Sequence, residues 1–105
     1  MKLKIVWSDY AESQLDKIFE YYLENVNYKV AKTIIEKIIN EPNKLLLNPE
    51  IGQKEELLKD RTDNYRYLIC DNYKIIYSID RKQSLLKISN VFDTRQNPVK
   101  IKKSK

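Results

Sequence analysis

The chain has 105 residues and a formal net charge of +5, with 42% hydrophobic and 33% charged residues. This composition is typical of one small globular domain, which is too small to enclose a large cofactor. The absence of histidine, together with a single cysteine, excludes an internal disulfide and a zinc site of the usual Cys/His type. The single glycine excludes a glycine-rich phosphate-binding loop, so we expect no cofactor and no metal.

The N-terminal part of the chain predicts a strand followed by two helices. Residues 3–7 (LKIVW) are apolar and partly β-branched, as in a strand. Ser8 and Asp9 are candidate N-caps, and Asp9 and Glu12 have the spacing of a capping box. Apolar residues then recur every three or four positions on two helical faces: Ala11, Leu15, Ile18, Phe19 and Tyr22 on the first, and Ala31, Ile34, Ile35, Ile38 and Ile39 on the second. The short turn at residues 25–27 makes them an antiparallel hairpin.

Helix-breaking residues, a loop and a charged segment follow the second helix. Pro42 predicts a kink or a brief restart of the helix, and the segment Asn48 to Gly52 (NPEIG) predicts a loop. Residues 53–63 are so rich in charged side chains that we expect no core element there. The adjacent acids Glu55 and Glu56 are more typical of a solvated surface than of an acid/base pair.

Three strands follow, at residues 65–70, 73–80 and 85–92, each with alternating side chains. Asp71 and Asn72 predict a tight hairpin turn between the first two, and residues 80–83 turn the chain again. The predicted order is β-α-α-β-β-β. The fold class is therefore α+β, with a helical hairpin packed on a small antiparallel sheet.

The positive charge is concentrated at the C-terminus. Four lysines lie after residue 99, so residues 1–99 carry a net charge of only +1. We predict one folded domain over residues 1–98 and a basic C-terminal tail over residues 99–105. The N-terminus lacks a stretch of signal-peptide length and no run is long enough to cross a membrane, so we expect a cytoplasmic protein without a membrane partner.

Two groups of residues are candidates for chemistry. Arg66 and Lys74 are predicted to face one another on adjacent strands, and Arg95 follows the last strand. With the Tyr77 hydroxyl they could hold a phosphate or a transition-state charge. The alternative is that they are exposed strand residues that prevent edge pairing. The eight tyrosines are a possible stacking platform for bases, but a nearly neutral body favours a role in the core.

Several features in the same order resemble the RelE/ParE superfamily of bacterial toxins. They are the β-α-α-β-β-β order, the spacing of Ser8, Ala11, Leu15, Ile18 and Tyr22, the turn Pro49 to Gly52, the hairpin YRYLICDNYKIIYSI and the ending VFDTRQNP. The resemblance covers residues 5–98. It implies a type II toxin–antitoxin system, in which a labile cognate antitoxin protein binds and silences the toxin. RelE-like members cleave mRNA on the ribosome, whereas ParE-like members inhibit DNA gyrase.

The nuclease residues of the RelE-like members are only partly matched. Arg66 and Lys74 match in charge, but Leu68 and Thr94 stand where basic residues are expected, and Lys100 or Ile101 stands where a late tyrosine is expected. Asp93 occupies the position of a histidine found in some relatives. The resemblance is therefore closer to ParE-like members, and Arg95 is predicted to be a structural or partner-contact residue.

The resemblance to ParE implies a non-catalytic gyrase inhibitor that acts through its helical hairpin and basic C-terminal end. The antitoxin is expected to lie in an apolar groove beside the sheet, and operator DNA to be contacted only through the antitoxin. One alternative is a ribosome-dependent mRNA endonuclease that uses Arg66, Lys74, Tyr77 and Arg95. Another is a degenerate toxin that only binds its antitoxin.

Overall fold

The computed structural model describes residues 2–104 and confirms the predicted order of helices and main strands. The regular elements are β1 (Lys4–Trp7), α1 (Asp9–Asn25), α2 (Tyr28–Asn40), β2 (Gln53–Lys54), β3 (Arg66–Cys70), β4 (Tyr73–Asp80) and β5 (Leu85–Asp93). The described residues also contain three 3₁₀ helices, Glu41–Leu46, Glu56–Leu58 and Pro98–Lys103. Within residues 2–104 no helix has the length and apolar character needed to cross a membrane.

The sheet has five strands in the order β1-β5-β4-β3-β2. The three C-terminal strands form the predicted antiparallel meander, but β1 pairs with β5 in parallel, so the sheet is mixed rather than wholly antiparallel. The parallel pairing follows from the connection, because the helical hairpin returns the chain to the opposite edge of the sheet before the meander begins.

The segment 53–63 contains more structure than its charge predicted. Gln53 and Lys54 form β2 at the edge of the sheet, opposite β3. Glu55 and Leu58 are buried. The expectation of no core element here was wrong, because Glu55 has a cationic partner on β4 and Leu58 packs beneath the sheet.

Both long helices begin at side-chain caps. Ser8 is the N-cap of α1, and its Oγ accepts a hydrogen bond from the amide of Ala11 at 3.0 Å. Asn27 caps α2, and its Oδ1 accepts from the amide of Val30 at 2.8 Å. Asp9 is the first residue of α1 rather than its cap. After α2 ends at Asn40, the chain restarts as the 3₁₀ helix that contains Pro42, as predicted.

Two apolar clusters cover the two faces of the sheet. The helix-side cluster contains Ala11 and Ile38 from the helices and Tyr77, Ile88 and Val91 from the central strands. The opposite cluster is smaller and consists of Leu58, Ile76, Phe92 and Ile101. Strands β4 and β5 are therefore buried on both faces, and the second face is covered by the two C-terminal 3₁₀ helices.

Residues 99–104 of the predicted basic tail pack against the domain, whereas Lys105 lies outside the described residues. Ile101 is 0% exposed and Ser104 is also buried. The Asn90 side-chain amide donates to Ser104 Oγ at 2.9 Å, and Arg61 donates to the carbonyl oxygens of Ser104 and Lys102. We call Arg61, Asn90, Ile101 and Ser104 the C-terminal clasp. The clasp fixes the last 3₁₀ helix on the sheet, so its lysines are part of the folded body.

The packing of the C-terminal segment predicts a large stability loss for Ile101→Ala. Removing this buried side chain should lower the free energy of unfolding by about 2 to 5 kcal/mol, since a cavity is left beside Phe92. Val99→Ala is the matched control in the same 3₁₀ helix, because Val99 is exposed. Urea denaturation monitored by circular dichroism measures both. Equal, small losses would mean that the segment is a free tail.

Candidate functional site

The Tyr77 hydroxyl holds a loop. Tyr77 lies on β4 and is fully buried. Its hydroxyl donates to the Pro49 carbonyl at 2.7 Å and accepts from the Gly52 amide at 3.0 Å. Burial raises the pKa of the Tyr77 hydroxyl, and the hydrogen bond from Gly52 only partly opposes this. The group is neutral at physiological pH and is occupied by backbone partners.

Arg66 binds the same loop from the neighbouring strand. Arg66 is the cross-strand partner of Tyr77, and its Nη1 donates to the carbonyls of Gly52 at 2.9 Å and Glu50 at 3.2 Å. The loop packs so closely on β3 and β4 that position 52 has room only for glycine. A Cβ there would lie 2.9 Å from the Tyr67 carbonyl oxygen and closer still to the Tyr77 hydroxyl. Arg66 and Tyr77 thus form one loop anchor.

Lys74 lies on the other face of the sheet. Its cross-strand partner is Ile69, so the prediction that Lys74 and Arg66 face one another was wrong. Lys74 Nζ lies 3.1 Å from the buried carboxylate of Glu55 and 4.3 Å from the centroid of the Tyr67 ring. The amine is thus held by an ion pair and a cation–π contact. The register explains the separation, since Cys70 pairs with Tyr73 across the two-residue turn.

Arg95 forms a closed ion pair at the end of β5. Its Nε and Nη2 donate to the two carboxylate oxygens of Asp93 at 3.0 and 2.9 Å, and its backbone amide donates to the same carboxylate. These hydrogen bonds lower the pKa of Asp93, although burial opposes them. Beside them, the Tyr73 hydroxyl donates to the Tyr22 hydroxyl at 3.3 Å, and burial together with this bond raises the pKa of Tyr73.

The four candidate nuclease residues therefore occupy three separate places. Arg66 and Tyr77 meet at the loop, Lys74 is on the opposite face, and Arg95 lies beyond the end of β5. Each of the four side chains already bonds another group of this chain. No group of three acidic or cysteine side chains placed to bind a metal ion occurs among residues 2–104.

An apolar groove lies between the two helices and β1. Its volume is about 520 Å³, and the side chains that line it include Trp7, Leu15, Phe19, Ile35 and Ile39. Glu12 and Asp16 stand at its margin. The helical pattern predicted Leu15, Phe19, Ile35 and Ile39 on the apolar faces of the two helices. A two-helix layer cannot turn its whole apolar stripe toward one sheet, and the outer part forms the groove.

The Tyr77 contacts predict a loss of stability in Tyr77→Phe. The substitution leaves the Gly52 amide and the Pro49 carbonyl without their buried partner, which should cost about 1 to 3 kcal/mol. Tyr67→Phe is the control, because the Tyr67 hydroxyl bonds Gln53 at an exposed position. Chemical denaturation compares the two variants. A loss in Tyr67→Phe equal to that in Tyr77→Phe would contradict the anchoring role.

Comparison with known proteins supports the fold and the family. The sequence model of the ParE toxin of the type II toxin–antitoxin system parDE matches residues 5–98. A search of curated protein sequences gives no match.

Two solved structures have the same fold. A chromosomal ParDE toxin–antitoxin system from P. aeruginosa aligns with a TM-score of 0.71 at 14% identity, over 88% of this chain and 96% of that one. The YoeB dimer from Staphylococcus aureus aligns with a TM-score of 0.52 at 22% identity, over 87% of this chain and 95% of that one. Since the family match spans nearly all of the sequence, the chain belongs to the ParE toxin family of type II toxin–antitoxin systems.

Proposed function

We propose that this toxin inhibits DNA gyrase without cutting nucleic acid, and that a cognate antitoxin silences it. The observation that carries the proposal is the family match over residues 5–98. Gyrase inhibition is the activity associated with ParE-like members of the superfamily. The proposed target is a cytoplasmic enzyme, so the toxin would act in the cytoplasm.

The geometry favours this function over that of an mRNA endonuclease. A ribonuclease needs a base for the 2′-hydroxyl and a group that stabilises charge at phosphorus, within reach of one substrate. The chain has no histidine, and the Tyr77 hydroxyl is engaged with the loop at residues 49–52. Arg66 and Lys74 point to opposite faces of the sheet. A catalytic role would require these contacts to break.

The tip of the helical hairpin is a suitable contact for a protein target. Leu23, Val26 and Tyr28 are large apolar residues at the α1–α2 turn, and they are 43%, 54% and 60% exposed. The Tyr28 ring is held edge-on against Phe19, with 6.1 Å between centroids. Clustered apolar residues with a fixed aromatic ring are typical of protein contacts. We assign the gyrase contact to this tip and to the basic C-terminal helix.

The apolar groove is a suitable site for the antitoxin. A groove lined by aromatic and branched side chains accepts an amphipathic helix or an extended segment with apolar anchors. Glu12 and Asp16 would favour basic residues on the margins of that segment. Phe19 lines the groove and packs against Tyr28 of the tip, so an antitoxin in the groove would obstruct access of the target to the tip. Operator DNA would be contacted through the antitoxin.

The tip assignment predicts that Val26→Ser with Tyr28→Ser weakens gyrase inhibition at least about tenfold, or about 1.4 kcal/mol of binding free energy. The measurement is the concentration of toxin that halves supercoiling of relaxed plasmid by purified gyrase. Leu47→Ser with Ile51→Ser is the matched control, because both residues are exposed and follow the end of α2 that is opposite the tip. If the unaltered toxin leaves supercoiling intact and cleaves mRNA on translating ribosomes, the proposal fails.

The groove assignment predicts that Ile39→Glu prevents rescue by the antitoxin but leaves toxicity unchanged. Ile39 is 44% exposed, so a charged side chain there is tolerated by the fold but places charge in the groove. Leu47→Glu is the control, since Leu47 is 96% exposed and outside the groove. Bacterial growth during co-expression with the cognate antitoxin is the readout. Full rescue of Ile39→Glu would exclude the groove as the antitoxin site.

A further inference from the structure

The C-terminal 3₁₀ helix sorts its side chains into rows. A 3₁₀ helix has three residues per turn, so residues three apart lie above one another, about 6 Å apart. Ile101 and Ser104 form the buried row. Lys100 and Lys103 form the next row and line a cleft, whereas Lys102 does not. The clasp therefore fixes the backbone that carries these two lysines beside the cleft.

This cleft runs between α1, the end of β5 and the C-terminal 3₁₀ helix. It has two adjoining parts, of about 250 Å³ and about 390 Å³, which share Gln14, Lys17, Val91, Asp93 and Gln96. We call the two parts together the basic cleft. Its size is sufficient for one or two nucleotides, and it lies apart from the apolar groove.

The charge of the basic cleft is strongly positive. Lys17, Lys100 and Lys103 line it, and none of them forms a salt bridge within residues 2–104. Asp93 is the only carboxylate among the described lining residues, and Arg95 already neutralises it. Three cations from two elements thus converge without an acidic partner. The net charge of +1 on residues 1–99 does not include Lys100 and Lys103, so the cleft is more positive than the rest of the domain.

An exposed aromatic ring stands at the other end of the basic cleft. Tyr21 is 55% exposed, and its ring meets the Tyr22 ring edge-on with 5.1 Å between centroids. This contact restricts the orientation of Tyr21, and more than half of the residue remains exposed. The amide side chains of Gln14 and Gln96 lie between Tyr21 and the lysines, and they offer both donors and acceptors.

We infer that the basic cleft binds single-stranded nucleic acid. Lys17, Lys100 and Lys103 contact successive phosphates, and a base stacks on Tyr21. Cationic side chains along a cleft that ends at an aromatic ring are the usual elements of single-strand binding. This binding needs no cleavage chemistry, and it does not depend on whether gyrase is the target.

An acidic peptide fits this cleft less well. A peptide strand needs an open backbone edge, but Val91, which borders both parts of the cleft, is only 2% exposed. A peptide also needs apolar pockets for anchor residues, and the end of the cleft that holds the lysines is lined mainly by polar side chains. The tyrosine and the amides instead suit a base and its polar edge.

The test measures binding of a fluorescent 12-nucleotide oligo-dT by anisotropy over a series of salt concentrations. Three phosphate contacts predict a slope of about −2 for log K against log salt. Lys100→Gln with Lys103→Gln should weaken binding at least tenfold and reduce the slope to about −0.7. Lys82→Gln with Lys102→Gln removes the same charge from exposed positions outside the cleft and should change affinity less than twofold.

A second variant separates stacking from charge. Tyr21→Ser should lower affinity for oligo-dT several-fold without changing the salt slope, since it removes no cation. Circular dichroism confirms that each variant is folded. The inference is overturned if oligo-dT does not bind, or if the two lysine pairs lose affinity equally. It is also overturned if a duplex of the same length binds as tightly, or if poly-glutamate displaces oligo-dT at an equal concentration of charge.

Discussion

The two-residue turn at Asp71 and Asn72 determines where every side chain of the meander points. Asp71 has a φ of 53°, a left-handed conformation that aspartate tolerates better than most residues. The turn pairs Cys70 with Tyr73, and this register continues to Arg66 opposite Tyr77. A slip of one residue would exchange the two faces of β3. Lys37 of α2 reaches the turn from outside, where its amine forms an exposed ion pair with the Asp71 carboxylate at 2.9 Å.

The register places two different kinds of support on the two faces. On the helix side, Arg66 and Tyr77 hold the loop at residues 49–52 through backbone atoms. On the other side, Lys74 and Glu55 form an ion pair beneath Tyr67. A buried ion pair of this kind gives little net stability, but it fixes the position of the segment that carries Glu55. Three of the four catalytic candidates, Arg66, Tyr77 and Lys74, thus contact segments outside the meander.

The sequence predicted the helices, their hairpin and the meander, because these depend on the spacing of apolar residues within each segment and on short turns. Ser8 and Asn27 show the same local determination, since each caps the helix that directly follows it. The face of Lys74 could not be predicted without the pairing across the turn. Glu55 looked solvated because its partner lies 19 residues later, and Ile101 looked like part of a tail because its neighbours are lysines. The positions of Lys74, Glu55 and Ile101 all depend on contacts with residues that are distant in the sequence.

The parallel pairing of β1 with β5 also governs when the fold can form. The Ser8 hydroxyl bonds the Ser89 carbonyl across 81 positions, and the Ser8 amide bonds the Ile88 carbonyl. During synthesis β1 has no strand partner until β5 has left the ribosome, and contacts of such long sequence separation form slowly. Helix α1 packs on β5 as well. A nascent chain that lacks β5 thus has neither a complete sheet nor a basic cleft, so both can form only after translation has passed the last strand.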